Sequence, residues 1–241
     1  MTKPGGGIPA WGESGSHDVK RLEFRFLVAT DVEGFSRRSA AEQAQAQDDL
    51  ERAVARAALE AGLDRQRWYR QPRGDGELAV LPEGTDGLSL VSDYPRRLAA
   101  TIAAVNRDGD RRPRLRVRIA IHHGAVAPGR FGYGPVGTAP IVISRLVDAE
   151  IVRQQLRQHG NLDIALIVSA TVYDEVIQSR LHGLHPEAFH RTIVRVKGIS
   201  AVGYVYQNII SQNNAASGTK RQPAAVQLPT INQTELVEFG S

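Results

Sequence analysis

Asp31 and Asp75 are the residues of this chain best placed by type and setting to do chemistry. Asp31 follows the apolar run Phe26-Leu27-Val28-Ala29-Thr30 and precedes Val32, Glu33, Gly34, Phe35 and Ser36. Asp75 stands in the turn Arg73-Gly74-Asp75-Gly76-Glu77. Taken singly, each is ordinary: an Asp in a glycine turn is turn chemistry, and an Asp ahead of a helix is a cap. Taken together, each at the end of a strand with glycine beside it, they can converge. Two carboxylates with neighbouring backbone carbonyls suit a hard cation such as Mg2+ or Mn2+. Gly34 would let the backbone approach a phosphate, and the amides that follow Asp31 would lead into a helix N-terminus.

The surrounding pattern supplies elements that can hold these groups. Leu22 to Ala29 alternates and then turns apolar, which predicts a strand entering the core. Ser39 to Ala61 is rich in Ala, Glu and Gln and ends at Gly62, which predicts a long capped helix. Trp68–Gln71 and Glu77–Leu81 predict two strands joined through the Gly74-Asp75-Gly76 turn. Leu88–Val105 predicts a helix that Pro95 kinks or starts. Leu115–His122 predicts a strand whose arginines, Arg114, Arg116 and Arg118, alternate with apolar residues and are expected to face solvent. Beyond it the pattern predicts helices over Pro140–Ala149 and Ile151–His159, a strand over Ile164–Val168, and a helix over Ala170–Ser179. A closing hairpin is predicted from Thr192–Val196 and Gly203–Gln207. The result is an α+β fold with a sheet covered by helices. Residues 1–20, rich in Gly, Pro and Ser, read as a flexible leader, 21–210 as the folded domain, and 211–241 as a polar tail.

Composition narrows the function. The chain has 241 residues, 41% of them apolar, enough for a real core. It has no cysteine, so disulfides, iron–sulfur clusters and thiol nucleophiles are excluded. His122 and His123 are adjacent on a strand and must point to opposite faces. His182, His185 and His190 are too loosely spaced to predict zinc. Thirty basic against 26 acidic residues leave a net charge of +4, too little for a surface that tracks nucleic acid. No run approaches the roughly 18 apolar residues of a membrane span, and the N-terminus has no apolar signal stretch. A cytoplasmic protein is expected, with neither nucleic acid nor membrane as partner.

Five pieces, in this order, resemble the class III nucleotide cyclase family: FLVATDVEGFSRRS, RQPRGDGELAVLP, LRVRIAIHHGAV, GYGPVGTAPIVISRLVDA and VKGISAVGYVY. They span about Leu22 to Gln207. The resemblance implies a ferredoxin-like domain with a central, mostly antiparallel sheet flanked by helices, working as a head-to-tail homodimer with its sites at the interface. It implies that Asp31 and Asp75, helped by the Val32 carbonyl, hold two Mg2+ or Mn2+ ions. It also implies that Arg145 of the opposite protomer stabilises the transition state and that Lys197 contacts the terminal phosphates. Glu33, Gly34, Phe35 and Ser36 would line the substrate loop, with Phe35 serving mainly as a packing anchor.

The sequence departs from the family at three positions. Ile141 stands one helical turn before Arg145, where the family carries asparagine. The two base-reading positions are Gln71 and Gly134, which match neither the adenylate nor the guanylate pattern. The Gln71 amide can both donate and accept, so it could pair with a pyrimidine edge. Tyr69 and Arg73 flank it on the same strand, and a bulky Tyr69 could fill the space of a purine's second ring. With the RQPRGDGELAVLP phrase, these departures resemble the bacterial pyrimidine cyclases of Pycsar antiphage systems. That likeness implies conversion of UTP, or CTP, to the 3′,5′-cyclic monophosphate and pyrophosphate, and a separate effector switched on by the product. The alternatives are an adenylate or guanylate cyclase with an atypical base pocket and a catalytically inactive nucleotide-binding or interaction module.

Overall fold

A computed structural model describes residues 22–107, 113–129, 133–196 and 199–207. The leader and tail expected at 1–20 and 211–241, and Lys197, lie outside these residues. The elements run β1 (Glu23–Val32), α1 (Ala40–Glu60), β2 (Tyr69–Pro72), β3 (Gly76–Val80), α2 (Tyr94–Arg107), β4 (Val117–Val126), α3 (Thr138–Val147), α4 (Glu150–Gln158), β5 (Ile164–Ser169), α5 (Ala170–Glu175), β6 (Phe189–Val196) and β7 (Ile199–Tyr206). The seven strands form one sheet in the order β2-β3-β1-β4-β5-β7-β6. The β4–β5 pair is parallel and the other five are antiparallel, as the α+β expectation required.

Local chemistry sets the element ends. Ser39 caps α1 in a capping box with Glu42: its hydroxyl accepts from the Glu42 amide, and its own amide donates to the Glu42 carboxylate at 2.8 Å. Gly62 follows α1 at φ +72°, a left-handed position that an L side chain resists. Pro95 is the second residue of α2, just after one π-helical turn at Ser89–Asp93. Helical backbone is already continuous from residue 87 through that turn, so Pro95 lies inside the helical run, directly after the π turn that interrupts the regular hydrogen-bond ladder. The helix expected over Ala170–Ser179 stops at Glu175 and continues as a 3-10 turn at Ile177–Ser179.

Alternation along the central strands divides the molecule into two layers. Val28 and Val32 on β1, and Val117, Ile119 and Ile121 on β4, join Ala53, Val54 and Ala57 of α1 and Leu98 and Ile102 of α2 in one apolar core. Neighbouring residues must then face the opposite layer, where α3 packs across β1 and β4. On that side Gly203 lies under Leu146 and Ile167; a Cβ there would come within 2.9 Å of both.

His122 and His123 divide as their adjacency requires. His122 is 8% exposed. His123 is partly exposed, stacks on Phe26 at 4.5 Å between ring centroids, and meets Glu175 at 2.7 Å. Burial, with a smaller contribution from the neighbouring His123, pushes His122 down to about 4. The imidazole is thus neutral in the fold, whereas an unfolded chain protonates it near pH 6.5. The unfolded state binds the extra proton, so stability is lost as pH falls from 6.5 toward 4. At about 1.4 kcal/mol per tenfold change, the full loss is on the order of 3 kcal/mol. Denaturant titrations at pH 7 and pH 4.5 should show a smaller stability difference for His122→Gln than for the wild type.

Candidate active site

β1 runs further than its sequence pattern indicated. It continues through Val32, because β3 and β4 remain in register alongside it. Asp31 therefore lies within the strand, opposite Gly76 on β3 and opposite Arg118 on β4. The Val32 amide donates to the Asp75 carbonyl at 2.7 Å, tying the turn between β2 and β3 to the end of β1. Gly76 permits this approach: a Cβ there would fall 1.9 Å from the Thr30 carbonyl oxygen. The two aspartates expected to converge are thus neighbours at one end of the sheet.

Arg118 on β4 and Arg116 just before it do not face solvent, contrary to the expectation from their alternation, whereas Arg114 is exposed as expected. Arg118 is 8% exposed and donates to Asp31 Oδ1. Arg116 pairs with Glu33 at 2.8 Å and donates to the Leu156, His159 and Leu162 carbonyls at the end of α4. Arg114 pairs with Asp163 at 2.9 Å. Alternation identified their common face correctly, but α3 and α4 cover that face. A cation at the C-terminal end of α4 is also favoured by the helix dipole. Arg116, Arg118 and the Arg73 partner Ser144 were not singled out for the site. The available signal was an arginine directly opposite a strand-end aspartate.

Burial pushes the Asp31 carboxyl above its usual range; Arg118 opposes the rise, and Asp75 and Asp148 add to it. Two carboxylates held this close repel each other, and a cation between them would relieve the repulsion. The donors are two carboxylates and the Val32 carbonyl, all hard oxygens, which fits Mg2+ or Mn2+. Among the described residues no three acidic or histidine side chains gather as a complete cage. Waters and phosphate oxygens would fill the remaining positions, as is usual for Mg2+. The turn after Asp31 is narrower as a phosphate cradle than the sequence suggested. The Val32 and Glu33 amides donate to Asp75 and Arg116 carbonyls, leaving those of Gly34, Phe35 and Ser36 at the turn. Gly34 is at φ +68°. Phe35 packs against the core and Ser36 is exposed.

The two positions expected to read the base are also brought together. Gln71 Nε2 donates to the Tyr133 carbonyl at 3.3 Å. A Cβ on Gly134 would lie 2.6 Å from the same nitrogen, so a side chain at 134 would push the Gln71 amide from this position. Arg73 donates to Ser144 Oγ at 3.0 Å, and Ser144 in turn donates to the Pro140 carbonyl. Tyr69 is partly buried on the same strand. Ile141 is 44% exposed, one turn before Arg145 on α3.

Arg145 lines an open groove of about 790 Å³ with Asp148, Arg153, Thr192 and Arg195, and Asp148 lies 3.9 Å from Arg118, the partner of Asp31. The Arg145 Nε is buried without a hydrogen-bond partner among the described residues. Among the described residues Arg145 forms no ion pair with Asp31 or Asp75.

No protein-family model and no curated protein matches this chain. Solved structures do. The guanylyl cyclase Cya2 aligns with a TM-score of 0.57 at 17% identity, over 80% of this chain and 96% of that one. An adenylate/guanylate cyclase/hydrolase from Silicibacter pomeroyi aligns at 0.55 and 20% identity, over 77% and 97%. A bacterial light-regulated adenylyl cyclase aligns at 0.57 and 15% identity, over 78% of this chain and 53% of that one. At these identities the likeness shows the fold: the seven-stranded sheet and its helices have the architecture of class III cyclase domains.

Proposed function

We propose that this chain is a metal-dependent nucleotidyl cyclase acting as a head-to-tail homodimer. The observation that carries the reading is the meeting of Asp31 and Asp75 at one end of the sheet while Arg145 lines a groove and pairs with neither of them among the described residues. A head-to-tail arrangement would bring the groove of one protomer to the carboxylates of the other. Divalent ions bound at Asp31, Asp75 and the Val32 carbonyl would supply activation of the ribose 3′-hydroxyl and charge neutralisation on the triphosphate. The chain's own residues orient and stabilise. Asp31 and Asp75 fix the reacting end, and the Gly34–Ser36 turn follows the phosphates. The Arg145 guanidinium meets charge developing on the phosphoryl oxygens. The 3′ oxygen bonds to the α-phosphorus, the bond from that phosphorus to the β-bridging oxygen breaks, and the hydroxyl proton passes to water. Pyrophosphate leaves. Lys197 is assigned to the terminal phosphates through the family resemblance alone.

The substrate proposed is a pyrimidine nucleoside triphosphate, UTP in preference to CTP. Gln71 offers an amide with both donor and acceptor, and Gly134 offers no side chain, which leaves the amide as the base reader between them. The phrase from Arg70 to Pro82 supports a signalling role in antiphage defence, the cyclic product acting on a separate effector. A second reading, a purine cyclase, draws on the adenylyl and guanylyl cyclases that share this fold. The described helices include none long and apolar enough to cross a membrane.

Incubation of the full chain with ATP, GTP, CTP and UTP, each with Mn2+, separates these readings by product mass. Cyclic UMP or cyclic CMP is the expected product. A cyclic purine would keep the mechanism and overturn the pocket argument. Nucleotide binding without turnover of any of the four would support an inactive binding module.

A further inference from the structure

Two adjacent arginines, Arg37 and Arg38, close the turn that follows β1, and their side chains are used differently. Arg38 is half-buried and donates to the Pro113 carbonyl at 3.1 Å and to the Arg114 carbonyl at 2.8 Å. Arg37 is exposed, and among the described residues its guanidinium makes no ion pair and no hydrogen bond. The carboxylates on either side of it in sequence are already committed, Glu33 to Arg116 and Glu42 to the amide and hydroxyl of Ser39. The Arg37 side chain nevertheless returns along the chain to the start of the turn. Its amide donates to the Gly34 carbonyl at 3.1 Å, and its guanidinium lies against Gly34 itself, where a Cβ would come within 3.0 Å of Nη2 and 3.5 Å of Nε. Gly34 is at φ +68°, a conformation that L side chains rarely adopt, so nothing stands between the guanidinium and the turn. A cation without a partner is thus laid on the turn that carries the Gly34, Phe35 and Ser36 amides, just beyond Asp31.

We propose that Arg37 is a substrate-binding residue whose guanidinium takes the terminal phosphate of the nucleoside triphosphate, from the same protomer that supplies Asp31 and Asp75. This rests on the cyclase reading above. The planar fork of a guanidinium matches two oxygens of one phosphate, and a charge-assisted pair of this kind is stronger than a bond from a backbone amide. Asp31 marks the reacting end of the phosphate chain. The turn leads from Asp31 to Arg37, so a chain laid along it meets Arg37 after the α-phosphorus has been placed. The terminal phosphate carries its charge before and after the ring closes. Its contact is therefore made in the ground state and in the transition state alike, and acts on affinity more than on rate. Arg145 differs in this respect, because its contact strengthens as charge develops at the reacting phosphorus.

The test is calorimetric titration of the full-length protein with inorganic tripolyphosphate, in excess Mg2+ and at fixed ionic strength, so that no base contact enters. Arg37→Gln is expected to weaken tripolyphosphate binding about tenfold, the size of one charge-assisted hydrogen bond. Arg37→Lys, which keeps the charge and loses the fork, is expected to fall between. Arg38→Gln makes the same change of charge one residue away and should bind tripolyphosphate as the wild type does, with a lower melting temperature. In turnover, Arg37→Gln should raise KM for the nucleotide more than it lowers kcat. A purely structural loss would lower the fraction of active protein and leave KM unmoved. Wild-type affinity in Arg37→Gln overturns the inference alone. So does an equal loss in Arg37→Gln and Arg38→Gln, which would trace the effect to net charge. A wild-type protein that binds no tripolyphosphate overturns the phosphate turn and the inference with it.

Discussion

Asp75→Ala is expected to abolish turnover, by about 10³-fold or more, while leaving the melting temperature close to that of the wild type. A loss of that size corresponds to roughly 4 kcal/mol of transition-state stabilisation. The Asp75 side chain sits in a turn whose geometry is kept by backbone contacts, the Val32 amide to the Asp75 carbonyl and the Arg73 amide to the Gly76 carbonyl. Neither depends on the carboxylate, so the chemistry is separable from the fold. Asp31 is different. Asp31→Ala would strand the buried Arg118 without its partner, and an uncompensated buried charge costs about 3–5 kcal/mol. Asp31→Asn is the cleaner variant, because an amide oxygen still accepts from Arg118 while the negative charge is gone. It should match Asp75→Ala in lost activity and keep most of the stability. The check is a rate assay beside a thermal melt for each protein. Full turnover by both Asp31→Asn and Asp75→Ala would sink the assignment of these carboxylates.

Two inactive proteins should make an active one. Arg145→Ala removes a contact that strengthens as charge develops, so it should lower kcat far more than it raises KM. Mixed with Asp75→Ala, it should recover activity, since each mixed dimer keeps one site with both its carboxylates and its arginine. Random exchange makes half the dimers mixed, each with one good site of two, giving about a quarter of the wild-type rate. The structural basis is that Arg145 pairs with neither Asp31 nor Asp75 within one chain, among the described residues. Arg145 lies in the groove with Thr192 and Arg195, and the carboxylates lie at the end of β1. The assay is the rate of the mixture after brief partial denaturation and refolding, which ensures exchange. A mixture as inactive as its parts, with heterodimers demonstrated by differential tagging, would place Arg145 and the carboxylates in separate sites.

Much of this arrangement is legible in the residues, for reasons that can be given. Ser39, Glu42 and Gly62 act through the backbone within a few positions, so α1 can be read directly. The Gly74-Asp75-Gly76 turn is similarly local. The convergence of Asp31 and Asp75 is readable because both flank strands and the order of the five pieces fixes which strands are neighbours. Arg116 and Arg118 show where such reading stops. Their alternation says which side of the sheet they share, but not what covers that side. The cover is α3 and α4, about 20 to 40 residues further on, whose helical pattern says nothing about the strand beneath them. The extension of β1 through Val32 is likewise a property of its partners, not of its own residues. Gln71 meeting Tyr133 and Gly134 depends on the path of the chain between β4 and α3, which no periodicity encodes.

The register that sets Arg118 opposite Asp31 joins residues 87 positions apart. Both hydrogen-bonding partners of β1 come later in the chain: β3 can pair with it first, but its second edge stays open until β4 is made. Contacts at such separation carry a large loop-closure cost and form late. Register matters equally: a slip of one residue would turn Asp31 from the α3 side into the apolar layer beneath α1 and α2. The carboxylate pair therefore cannot exist as a local motif in a partly folded chain. Any ligand that requires both aspartates reports that the central sheet has closed in its correct alignment, and time-resolved binding of such a ligand during refolding would follow the last cooperative step.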